Sequence, residues 1–92
     1  MGELLSRKGL FERSLQIDRC LVDLLPDDCV ARYNLACSLA RGGSRRQAIE
    51  QLGLAIEHGY DDFGHLEVDP DLDSLRNEPA YIALMERFGI KN

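Results

Sequence analysis

The chain has 92 residues, a formal net charge of −5 and 45% hydrophobic residues, enough for one small domain with a modest core. No apolar run is long enough to span a bilayer. The charged start "MGELLSRKGLFERS" lacks the apolar stretch of a signal peptide, so a cytoplasmic protein is expected. The negative charge is local: residues 61–78 hold seven acids against Arg76, while the remainder sums to +1, a distribution that disfavours a nucleic-acid partner.

In chain order, "GELLSR" reads as the last turns of one helix, with Gly9 in the turn after it. "LFERSLQIDRCLVDLL" then forms a helix carrying Leu15, Leu21, Val22 and Leu25 and stopped by Pro26. "VARYNLACSLAR" places Val30, Tyr33, Leu35, Ala36, Leu39 and Ala40 at amphipathic helical spacing, and "GG" ends it. Ser44 is suited to cap the next helix, "RRQAIEQLGLAIEH", which carries Ala48, Ile49, Leu52, Ala55 and Ile56 on one face and stops at Gly59. No segment alternates with period two over a useful length, so an all-α fold is expected. Cys20, Cys29 and Cys37 contain no CxxC pair and are expected as free thiols acting as small buried hydrophobes.

Shifting the chain by 34 residues aligns its punctuation. Gly9 falls on Gly43, Leu5 on Leu39, Arg7 on Arg41, and Asp27-Asp28 on Asp61-Asp62. Within residues 29–62 the chain carries Leu35, Ala36 and Leu39 before Gly43, and Ala48 and Ala55 after it, a succession of large, small and turn residues. This pattern resembles the tetratricopeptide repeat. The resemblance implies an antiparallel helical stack in one domain, residues 1–92. It comprises a partial first repeat at 1–28, a second repeat at 29–62 and a capping tail at 63–92. Asp18 departs from the pattern, standing where the first repeat would carry a large apolar residue, and Tyr60 stands where the first repeat has Pro26.

The tail contains "DPDLDSL", with Asp69, Asp71 and Asp73 at alternate positions as in a calcium loop. Ser74 occupies the place of the required glycine and Ala80 that of the bidentate glutamate, so no calcium site is expected. Asp69 followed by Pro70 is a helix start instead, with Leu72 and Leu75 facing inward and the carboxylates acting as caps and solvated charges. Asn77 with Pro79 starts the last helix, whose face is Tyr81, Ile82, Leu84, Met85 and Phe88. His58 and His65 flank Asp61 and Asp62, but Gly59 and Gly64 take them off one helix face. No metal, cofactor or catalytic residues are expected, and no motif arranges a nucleophile with a base.

Tetratricopeptide stacks bind peptides in a concave groove lined by the first helix of each repeat. Carried over, the groove residues are Val30, Tyr33, Asn34, Cys37, Ala40 and Arg41, joined by Glu3, Ser6 and Arg7. The binding set expected here is Arg7, Tyr33, Asn34, Cys37 and Arg41, with the two arginines stacked to hold a carboxylate. The implied function is a non-enzymatic protein-interaction or scaffold module binding another protein or peptide, one with an acidic segment among the candidates. A homodimer formed through the open N-terminal end, or a regulatory or terminal segment of a larger enzyme, are the alternatives. Asn34 matches one position of the chaperone-tail clamp, but the clamp's basic positions are not filled, so chaperone tails are not expected.

Overall fold

Pro26, the Gly42–Gly43 pair and Gly59 divide the chain where its first three helices end. The structure is a computed structural model that describes the backbone of residues 2–90 and the side chains of residues 12–90. It is all-helical, with α1 (Gly2–Leu24), α2 (Cys29–Arg41), α3 (Arg45–Glu57), α4 (Phe63–Val68), a 3₁₀ helix (Pro70–Leu75) and α5 (Pro79–Arg87). No strand occurs among the described residues, and none of the described helices is long and apolar enough to cross a membrane.

The first element corrects an expectation. Residues 2–24 form one helix, with no turn at Gly9 separating two shorter ones. Gly9 is flanked by good helix formers and has no cap or proline beside it, and a lone glycine costs only about 1 kcal/mol in a helix. The helix hairpin that the resemblance implies is therefore present once among the described residues, as α2 and α3.

That hairpin forms for local reasons. Asp28 accepts hydrogen bonds from the backbone N–H groups of Val30 and Ala31 and so starts α2. At its end Gly43 takes φ +85°, letting Ser44 N–H reach Leu39 C=O at 2.9 Å. The end of α3 repeats the device: Gly59 sits at φ +109° and Tyr60 N–H reaches Ala55 C=O at 2.9 Å. Between the helices Ala36, Ala48 and Ala55 are fully buried with Leu35, Leu39 and Leu52. Small side chains there allow close approach, and larger ones would overpack the contact.

The tail folds back over the hairpin. Leu66, Leu72, Leu75 and Tyr81 are all fully buried, as Leu72 and Leu75 were expected to be. Asp69 caps the 3₁₀ helix and Pro70 opens it, again as expected. The cap of α5 is Glu78 rather than Asn77, because a proline at the first helical position makes its immediate neighbour the cap. Glu78 makes no side-chain capping bond and instead pairs with Arg45 at 3.5 Å. Ser44 likewise occupies the cap position of α3 without a side-chain bond.

Other expected core positions differ. Leu21, Leu25, Val30 and Ile82 are exposed rather than inward-facing, and of the three thiols only Cys37 is buried. All three are free. At the α3–α5 crossing Gly53 is buried, and a Cβ there would meet the Leu84 Cδ1 at 3.3 Å.

Candidate functional site

A cavity of about 440 Å³ opens between α1, α2 and the α4–3₁₀ segment. Ser14, Ile17 and Asp18 of α1 form one wall, α2 forms the floor, and His65, Asp69 and Asp71 form the other wall. Four of the five expected binding residues, Tyr33, Asn34, Cys37 and Arg41, line it. They meet because positions 33, 34, 37 and 41 recur at one-turn spacing on the same side of α2. Asn34 and Arg41 are exposed, whereas Tyr33 and Cys37 lie nearly sealed in the floor.

The fifth expected residue, Arg7, has a side chain outside the described residues, as do Glu3 and Ser6. The expected pairing of Arg7 with Arg41 therefore falls outside the description. Val30 is not part of the cavity lining, and Ala40 is buried in the core. The two histidines do not converge. His58 lies 3.8 Å from exposed Asp27, and only His65 reaches the cavity.

Asp69 organises the inner end: besides serving as the expected cap it is buried, only 6% exposed, and bonds further groups. Its Oδ1 accepts the Asp71 backbone N–H at 2.9 Å, which is the cap of the 3₁₀ helix. Its Oδ2 gathers three side chains. The Tyr33 hydroxyl donates to it at 2.6 Å, the Cys37 thiol at 3.6 Å, and His65 Nε2 lies 3.2 Å away. Tyr33 is itself fixed by stacking on Tyr60, with ring centroids 4.3 Å apart and planes within 4°.

These contacts set the protonation states. Burial would raise the Asp69 pKa, but the bonds from Tyr33 and the Asp71 N–H, with His65 and Cys37, outweigh it and hold the carboxyl below its ordinary value. Burial, with the nearby Asp69 and Asp71 carboxylates, pushes the Cys37 thiol up to about 12. Cys37 is therefore a neutral thiol at pH 7 and not a nucleophile as it stands. Burial and the bond to Asp69 also raise the Tyr33 pKa, so its hydroxyl remains a donor.

At the outer end Arg41 donates to the Ser38 hydroxyl at 3.3 Å, and Ser38 in turn donates to Asp18 of α1. Asp18, out of place in the repeat pattern, thus fastens α1 to α2 through a buried serine. Arg76 is a second residue whose work was hidden in the sequence. Its guanidinium donates to the Leu66 and Asp69 carbonyls at 3.1 and 3.0 Å, to the Tyr81 hydroxyl at 3.3 Å and to Asp73 at 3.0 Å. One side chain thereby joins α4, the 3₁₀ helix and α5 behind the cavity wall.

No family model matches the chain, and no solved structure matches it. The chain is similar to a chloroplastic protein of Arabidopsis thaliana, 29% identical over 90 residues that make up 95% of this chain and 27% of that protein. The chain thus spans about a quarter of the length of that relative.

Proposed function

We propose that the chain is a non-enzymatic interaction module of tetratricopeptide type that holds a segment of a partner protein in the cavity over α2. The observation that carries this reading is the cavity itself. It is open to solvent, lies on the first helix of the α2–α3 hairpin, and collects Tyr33, Asn34, Cys37 and Arg41 at one-turn intervals. Asn34 offers an amide that donates and accepts, the pattern that backbone recognition requires. Arg41 offers a guanidinium for a carboxylate. The cavity also contains Asp18, Asp69 and Asp71. An acidic residue of the partner would pair with Arg41 itself, which stands beside Asp18, and the inner end at Asp69 and Asp71 takes a neutral or basic portion.

Selection from a displayed peptide library tests the reading. We expect a recurrent segment whose affinity falls about tenfold or more in Asn34→Ala and in Arg41→Glu, with both variants still folded by circular dichroism. A library that yields no segment, or a segment indifferent to both substitutions, overturns it. An aqueous compartment suits such a module. The cytoplasm is the proposed one, with the chloroplast, raised by the relative's description, distinguished by imaging a fluorescent fusion.

A second reading has its own observation. Ile17, Leu21 and Leu24 stand at i, i+4 and i+7 on α1 and are exposed, and Arg13, Arg19, Asp18 and Asp23 lie along the same helix. Two copies pairing antiparallel through this stripe would bury the apolar residues. Sedimentation over a wide concentration range should then show a dimer that Leu21→Asp abolishes. A single monomeric species throughout removes this reading.

A further inference from the structure

The inner end of the cavity gathers side chains of the types that ligate metals, at spacings that suit an ion as well as they suit hydrogen bonds. Tetrahedral zinc, with Zn–S near 2.3 Å and Zn–N or Zn–O near 2.0–2.1 Å, sets its ligand atoms about 3.5 Å apart for S···O and about 3.3 Å for N···O. Measured to one oxygen of Asp69, the Cys37 sulfur lies at 3.6 Å and His65 Nε2 at 3.2 Å. Ligand atoms of Cys37, Asp69 and Asp71 all fall within 4.8 Å of one another. Asp71 is only half-buried, so its carboxylate has room to swing the remaining distance.

We propose that Cys37, His65, Asp69 and Asp71 form a binding site for a divalent transition metal of the zinc class. One sulfur and two carboxylate oxygens are already gathered, and the exposed His65 imidazole, which reaches the Asp69 oxygen alone, supplies the fourth ligand by turning inward. The sulfur and nitrogen favour zinc or cobalt over calcium or magnesium, which take oxygen ligands alone. Two ligands, Cys37 and Asp69, are more than nine-tenths buried and so are held in place before an ion arrives. A supporting layer stands behind them. The Tyr33 hydroxyl bonds the Asp69 oxygen that would face the ion, the Asp71 N–H bonds the other oxygen, and Tyr60 fixes the Tyr33 ring. The open cavity gives the ion a way in. On binding, the Cys37 thiol proton, and any proton on His65 Nε2, leave to solvent, and a metal–sulfur bond replaces the weak S–H···O contact.

The inference does not depend on peptide binding, since uptake by the chain alone needs no partner. The test is titration of the metal-free, reduced chain with Co²⁺, followed by displacement with Zn²⁺. One equivalent of Co²⁺ should bind, with tetrahedral visible bands and near-ultraviolet sulfur-to-cobalt charge-transfer absorption. Cys37→Ser should abolish the charge-transfer absorption, while a Cys20→Ser/Cys29→Ser double variant keeps it. Should Cys37→Ser fail to fold, Asp71→Asn decides, because Asp71 is half-buried and its side chain makes no structural bond: affinity should fall about tenfold or more. No uptake by the folded wild-type chain, charge-transfer absorption that survives Cys37→Ser, or unchanged affinity in Asp71→Asn overturns the site.

Discussion

Helix α1 and the tail flank the same hairpin, yet they are held in opposite ways. Helix α1 is the longest and most regular element, but among residues 12–24 only Val22 is buried, and Leu24 is 75% exposed. The tail is broken into six-residue pieces and a nine-residue helix, but it buries Leu66, Leu72, Leu75 and Tyr81 completely and is bonded through Asp69 and Arg76. Regular backbone hydrogen bonding is satisfied within a helix wherever it lies, so it says little about attachment. Attachment comes from apolar area removed from water and from buried polar groups that have no other partner.

The contrast can be broken or sharpened by substitution. The largest effect is expected from Leu72→Ala, which should cost about 2–5 kcal/mol in denaturant unfolding because it leaves a cavity under the tail. Arg76→Ala should follow at about 1.5–3 kcal/mol, with Arg76→Lys recovering only part, since an ammonium cannot reach two carbonyls and a hydroxyl in one plane. Tyr33→Phe should cost about 1–3 kcal/mol by leaving the buried Asp69 oxygen short of a donor.

That variant should also change the acid limb. The Asp69 carboxyl is held below its ordinary value in the folded chain, so its contribution is present above the unfolded value, near 4, and disappears as pH falls through the folded one. Stability measured by thermal unfolding should therefore decline below about pH 4 in the wild-type chain, and less steeply in Tyr33→Phe. The smallest effect belongs to Leu24→Ala, expected within about 0.5 kcal/mol. A large loss there would mean that α1 is anchored by its outer face after all and would collapse the contrast.

The same division governs what could be read from the residues. Local grammar was legible: "GG" and Gly59 as helix ends, Asp69-Pro70 as a helix start, and the alanines as the hairpin contact all follow from short-range physics. Gly9 misled because its alignment with Gly43 suggested a turn, when Gly43 has a second glycine beside it and Gly9 has none. On α2, the cavity-lining residues were legible as one helical face. Their counterparts were not, because Asp69 meets Tyr33 and Cys37 across 36 and 32 positions, and no local pattern records such a meeting. Asp18 and Tyr60 were visible only as departures from the repeat. Each turns out to bond or stack across elements, Asp18 on Ser38 and Tyr60 on Tyr33.

Gly53 and Leu84 show where the tail seals the hairpin. With α5 laid on α3 and the 3₁₀ helix mainly on α2, the tail covers the hairpin, whereas Ile17, Leu21 and Leu24 leave an apolar stripe of α1 uncovered. The molecule consequently has a direction. A helical layer added to it would find a continuous apolar stripe on the α1 side, and on the α5 side only the isolated Ile82 and Val68.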